Sequence, residues 1–121
     1  MNQSILVVDD DPFMREFLRD VLEINGLRVY EADGGQDALI KVKQNNPDAL
    51  LLDVMMRGMD GITVCKALRT DAQTSQMPII MLSVLDEEEI VSAGLAAGAN
   101  KYLTKPFIYD ELIDNLIEIL G

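Results

Sequence analysis

Three acids, Asp9-Asp10-Asp11, stand directly behind the apolar run Ile5-Leu6-Val7-Val8, and a fourth, Asp53, stands directly behind Leu50-Leu51-Leu52. A buried strand that delivers carboxylates to its own exit builds a charged site. Two carboxylates ~5 Å apart repel by about 3 kcal/mol at an effective dielectric of about 20. A divalent cation offsets that repulsion. Hard carboxylate oxygens, in a chain with no histidine and one cysteine, favour Mg2+ or Mn2+ over zinc. A carboxylate beside such a cation can attack phosphorus and become an acyl phosphate. The charge that develops on the phosphoryl oxygens then needs a cation and a hydroxyl donor, and Lys105 and Ser83 supply those types.

The elements that must bring these residues together alternate between short apolar runs and helical patterns. Strands are expected at Ile5–Val8, Leu27–Tyr30, Ala49–Leu52, Ile79–Leu82 and Lys101–Leu103. Between the first two, Phe13, Phe17, Leu18, Val21 and Leu22 repeat at helical spacing, with Pro12 suited to a first turn and Gly26 to a stop. A second helix carries Ala38, Leu39 and Val42 and ends before Pro47. A third runs from about Asp60 to Arg69. Asp86 and Glu89 have capping-box spacing for a fourth helix, which carries Ile90 and Leu95 and ends at Gly98. The last spans Tyr109 to Leu120.

Such alternation predicts an α/β fold, a doubly wound parallel sheet flanked by five helices. Strands one, three and four are continuously apolar and suit central positions. Arg28 and Lys101 suit strands two and five to the edges. Right-handed crossovers then give the order 2-1-3-4-5. Parallel strands share one C-terminal rim, and their winding reverses between strands one and three. Asp9, Asp10, Asp53, Ser83 and Lys105 are therefore expected to meet in the crevice at that rim.

The chain has 121 residues, 49% of them hydrophobic, which suits one domain with its own core, residues 1–121. Its 21 acids against 10 bases give a formal charge of -11. No basic stripe exists to displace counterions from phosphates, so direct binding to nucleic acid or anionic lipid is not expected. Without histidine, neither a Ser-His-Asp triad nor a phosphohistidine relay can form within the chain. Cys65, among Val64, Ala67 and Leu68, suits a core thiol. With no signal peptide pattern and no spanning apolar run, a cytoplasmic location is expected.

The segments Ile5-Leu6-Val7-Val8-Asp9-Asp10, Leu51-Leu52-Asp53-Val54-Met55-Met56, Met59-Asp60-Gly61, Ser83 and Tyr102-Leu103-Thr104-Lys105-Pro106-Phe107 resemble the receiver domain of bacterial two-component response regulators. The likeness runs from about Ser4 to Leu120. It implies a flavodoxin-like fold and a switch in which Asp53 accepts a phosphoryl group from a sensor histidine kinase or phosphotransfer protein. Asp10, Asp53 and the Met55 carbonyl would ligate Mg2+, with Asp9 acting through water. Lys105 would pair with the phosphoryl oxygens, Ser83 would move to hydrogen-bond them, and Tyr102 would turn into the space Ser83 leaves. The likeness also implies a cis Lys105-Pro106 peptide. It implies a downstream protein or output domain as target, and a possible homodimer through the fourth helix, fifth strand and fifth helix. It does not make the chain an enzyme beyond its own phosphorylation and dephosphorylation. The final Leu120-Gly121 is compatible with a single-domain regulator or with the first domain of a longer one.

Several residues depart from that pattern. Arg57 stands where many receivers have proline, which predicts a less rigid loop. Val84 follows Ser83 where a smaller residue is usual. Met55 and Leu85 flank the path of an attacking water and are apolar, so slow self-dephosphorylation is expected. Ile113, Ile117 and Leu120 widen the apolar face of the last helix beyond Leu112, Leu116 and Ile119. Three other readings compete. A haloacid-dehalogenase-like phosphatase would use Asp9 as nucleophile and give Asp53 no essential place. A flavodoxin-like electron carrier would have to seat a flavin phosphate against three acids. A receiver-shaped scaffold would never be phosphorylated.

Overall fold

The computed structural model describes residues 3–121. Its strands are β1 (Ser4–Val8), β2 (Arg28–Ala32), β3 (Ala49–Leu52), β4 (Ile79–Ser83) and β5 (Lys101–Thr104), all paired in parallel in the order β2-β1-β3-β4-β5. Five helices alternate with them: α1 (Pro12–Ile24), α2 (Gly35–Asn45), α3 (Gly61–Thr70), α4 (Glu88–Ala96) and α5 (Tyr109–Leu120). The expected order and helix count are therefore observed. Every residue of β1, β3 and β4 is buried, whereas β5 is only partly covered and Arg28 on β2 is exposed. Two apolar layers sandwich the sheet. Leu6, Leu50, Leu52 and Met81 meet Val42, Val64, Cys65 and Leu68 on one face. Ile5, Val7, Leu51 and Ile80 meet Leu18, Leu22, Leu112 and Leu116 on the other. This is the alternation that a strand buried on both faces requires. Cys65 is a core thiol, fully buried, with its sulfur on the Ala97 carbonyl at 3.4 Å.

The structure moves some boundaries and overturns two local expectations. The strand β2 begins one residue later than expected and runs on to Ala32, while β4 takes in Ser83 and β5 takes in Thr104. The Asp86/Glu89 capping box does not form: Glu87 caps α4 without any side-chain hydrogen bond. Successive acids there serve the helix dipole from solvent instead. The helical repeat in α1 also overstates its buried face. Leu18, Val21 and Leu22 are buried, but Phe13 and Phe17 are 80% and 51% exposed. In α5, Leu112 and Leu116 are buried, and Ile113, Ile119 and Leu120 pack partly against the same layer; Ile117 is left exposed.

Local signals set the ends of the other helices. Asp11 caps α1 by accepting the Phe13 N–H at 3.0 Å, and Pro12 follows at the first helical position. Asp60 caps α3 through the Thr63 N–H at 2.8 Å. Past the end of α1, Gly26 takes φ +83°, a left-handed conformation that costs glycine little.

Candidate functional site

Strand register places the site. Leu52 pairs with Val8 on one side and Met81 on the other, and Ser83 pairs with Thr104. The residues that follow, Asp9, Asp53 and Lys105, consequently leave the sheet along one rim beside Ser83. Two backbone bonds extend the ladders past the strands: Asp53 N–H to the Val8 carbonyl at 3.0 Å and Lys105 N–H to the Ser83 carbonyl at 2.8 Å. The Lys105-Pro106 peptide is cis.

One carboxylate oxygen each from Asp9, Asp10 and Asp53 lies within 4.8 Å of the others. Asp9 and Asp53 are buried and Asp10 is half-buried. Lys105 sits between the first two, with Nζ 2.9 Å from Asp9 Oδ2 and 3.5 Å from Asp53 Oδ2. Backbone donors hold the remaining oxygens. The Asp11 N–H donates to Asp9 Oδ1 at 2.9 Å and the Met55 N–H to Asp53 Oδ1 at 3.2 Å. Burial pushes the Asp53 carboxyl above its usual range, and the neighbouring Asp9 charge adds to that. The Lys105 ammonium, the Met55 N–H and the Ser83 hydroxyl pull the other way. The result is a carboxylate poorly compensated by protein alone. Three hard oxygen donors converging on one point fit a Mg2+-type ion, and among the described residues no histidine or cysteine joins the group.

The two residues expected to act as a switch, Ser83 and Tyr102, lie next to this cluster. The Ser83 side chain is fully buried, and its Oγ accepts the Leu85 N–H at 3.3 Å. The Tyr102 ring is half-buried, and its hydroxyl donates to the Leu85 carbonyl at 2.6 Å. Desolvation raises the pKa of the Tyr102 phenol, opposed by its bond with Ser83. Met55 and Val84 are exposed at the mouth, 52% and 57%, and Leu85 is half-buried.

Four further residues support the site and were not singled out for these roles from sequence. Arg15 Nη1 donates to the Asp9 carbonyl at 2.6 Å while its Nε meets Glu31, so α1 fastens the acidic loop. A Cβ on Gly61 would collide with the Asp53 carbonyl oxygen and come within 2.9 Å of Val54 Cα. Only glycine lets α3 start this close to Asp53. A Cβ on Gly94 would lie 2.6 Å from Met81 Sδ and 3.1 Å from the Tyr102 ring. Arg57 makes contacts to the site: its N–H donates to Asp10 Oδ2 at 3.1 Å, with its guanidinium Nε 3.8 Å from the same oxygen. The Met59-Asp60-Gly61 motif was the available clue to Gly61. The other three contacts depend on tertiary approach.

The signature of the response regulator receiver domain matches residues 5–117. The chain belongs to that family. It is 44% identical over 120 residues to the response regulator MprA of Mycobacterium bovis, an alignment covering 99% of this chain and 51% of that protein. The chain thus spans about half the length of the curated relatives it matches. Among solved structures, one assigned as a response regulator of Chloroflexus aurantiacus superposes with a TM-score of 0.94 at 41% identity, covering 99% of this chain and 98% of that one. The Vibrio cholerae chemotaxis protein CheY4 gives 0.92 at 32%, covering 98% and 99%. These relationships support a phosphorylation-activated signalling switch rather than a classical enzyme, and lend nothing to the phosphatase alternative. Among the described residues, no helix is long and apolar enough to cross a membrane.

Proposed function

We propose that residues 1–121 act as one receiver domain whose Asp53 accepts a phosphoryl group from a phosphohistidine donor and whose surface then changes partner affinity. The observation that carries this is the shared ammonium: Lys105 bridges Asp9 and Asp53 beside a third acid and a buried serine hydroxyl. Asp10, Asp53 and the Met55 carbonyl would hold Mg2+ or Mn2+, with Asp9 acting through water. When bound, that ion supplies charge neutralisation for the phosphoryl oxygens.

In the transfer an Asp53 carboxylate oxygen bonds to phosphorus as the donor's P–N bond breaks. The imidazole nitrogen keeps the electron pair and takes up a proton. Lys105 shifts its ammonium from Asp9 toward the new oxygens, and the Ser83 hydroxyl donates to another. Rotation of Ser83 frees room for Tyr102, whose bond to the Leu85 carbonyl draws in the loop before α4. The added charge of about -1.5 to -2 biases this loop and the α4–β5–α5 surface. Return is hydrolysis: water bonds to phosphorus, the P–O bond to Asp53 breaks and inorganic phosphate leaves.

The donor is a sensor histidine kinase or phosphotransfer protein. Phe13, Phe17 and Ile108 are exposed beside the segments that bear Asp11 and Lys105, and they offer it an apolar rim. The target is a downstream protein or output domain, reached without direct nucleic-acid contact. On α4–β5–α5, the exposed Leu95 and the Lys101–Glu118 ion pair at 3.0 Å suit a dimer or partner face. The setting proposed is the cytoplasm.

The test is incubation with acetyl phosphate and Mg2+, followed by intact mass. A hydroxylamine-sensitive adduct that is lost in EDTA and in Asp53→Asn is the expected result. A label that survives Asp53→Asn overturns the proposal.

A further inference from the structure

The two cations at the acidic cluster do different work. Lys105 serves Asp9 and Asp53, and its side chain is 11% exposed. It does not reach Asp10, whose hydrogen-bonded and ionic partners come from Arg57 instead. There the backbone N–H is a fixed tether to Asp10 Oδ2, and the guanidinium is a mobile one, on a side chain 94% exposed. A proline at this position could provide neither.

We propose that Arg57 is a built-in counter-cation of the metal-free site, a positioning residue that orients Asp10 through its N–H and competes with the divalent cation through its guanidinium. The inference rests on the reading of Asp9, Asp10 and Asp53 as a divalent-cation site. The physical reason is like-charge repulsion. A cation arriving at the Asp10 carboxylate meets a guanidinium already beside Oδ2, and the guanidinium swings into solvent because nothing buries it. The N–H stays, since one carboxylate oxygen can keep its donor while the other ligates. Arg57 therefore weakens cation binding without blocking it. It does so most at low ionic strength, because an exposed charge is screened by salt over about 10 Å at 0.1 M.

MgCl2 titrations of the wild-type chain, Arg57→Gln and Arg57→Lys, followed by the amide resonances of residues 9–11 and 53–57, test this. Arg57→Gln keeps the N–H and loses the charge. It should bind Mg2+ about two- to fivefold more tightly at low salt, the range expected of an exposed ion pair. The gap should close near roughly 1 M NaCl, where screening is nearly complete. Arg57→Lys, which keeps a cation, should stay near wild type. In EDTA, Arg57→Gln should melt below wild type, because Asp10 has lost its counter-charge.

Equal or weaker Mg2+ binding by Arg57→Gln at low salt overturns the proposal. So does an advantage that persists at high salt, which would mark a purely structural effect. A wild-type chain with no saturable Mg2+ response sinks the metal reading beneath it as well. That outcome is separable, because covalent labelling of Asp53 is scored independently.

Discussion

Replacing Asp53 with asparagine should stabilise the metal-free protein, and the structure supplies the size of the effect. The substitution removes one of three carboxylates whose nearest oxygens lie within 4.8 Å of each other. At an effective dielectric of about 20, each such repulsion is worth roughly 3.5 kcal/mol. The attraction of Lys105 across 3.5 Å offsets roughly 5 kcal/mol on the same scale. Two repulsions against one attraction leave about 2 kcal/mol of net destabilisation, before the cost of burying a charge that is 8% exposed. Asparagine keeps an oxygen for the Met55 N–H. For a chain of this length, about 2 kcal/mol corresponds to roughly 8 °C in Tm.

The pH dependence has a defined sign. Burial raises the folded-state pKa of Asp53 above its ordinary value, so the native state binds this proton more readily than the unfolded chain does. The destabilisation is therefore full above the folded pKa and vanishes as pH falls below the unfolded value. Thermal unfolding of wild type and Asp53→Asn, in EDTA and in MgCl2, at neutral and acid pH, reads all three dependences. The asparagine variant should melt higher in EDTA at neutral pH, lose that advantage in acid, and gain less than wild type from Mg2+. An asparagine variant that melts lower in EDTA, or whose advantage is indifferent to Mg2+, would refute the electrostatic account.

Other consequences are equally concrete. Gly61→Ala drives a methyl group against the Asp53 carbonyl; it should cost about 1–3 kcal/mol in chemical denaturation and lower the rate of phosphoryl acceptance by displacing the acceptor. Gly94→Ala, pressed between Met81 and the Tyr102 ring, should push that ring outward, seen as changed tyrosine ring resonances and loss of the bond to Leu85. Met55→Asn places an amide at the exposed mouth and should shorten the acyl phosphate half-life roughly fivefold, about the worth of one neutral hydrogen bond; an unchanged half-life would remove Met55 from the hydrolysis path.

Much of this site was legible because parallel strands share a direction. Once Val8, Leu52, Leu82 and Leu103 were placed near strand ends, Asp9, Asp53, Ser83 and Lys105 had to meet, whatever the exact boundaries. Side chains that reach across elements were less accessible. Nothing local to Arg57 predicts that its N–H would meet Asp10, 47 positions away, and Arg15 gives no hint of the Asp9 carbonyl. The start of α4 was misplaced for a different reason. Four successive acids, Asp86 to Glu89, all suit a first helical turn, so composition could not select the cap. Phe13 and Phe17 follow the 3.6-residue period, but that period does not distinguish a core stripe from an apolar rim left for a partner.

The central claim is that Asp53, and no other carboxylate, becomes the acyl phosphate. Borohydride reduction of the phosphorylated protein, followed by peptide sequencing by mass spectrometry, reads the acceptor directly, because an acyl phosphate is reduced to the alcohol while a free carboxylate is not. The account predicts homoserine at position 53 alone. Homoserine at position 9 or 10, or none after labelling is established, would contradict it.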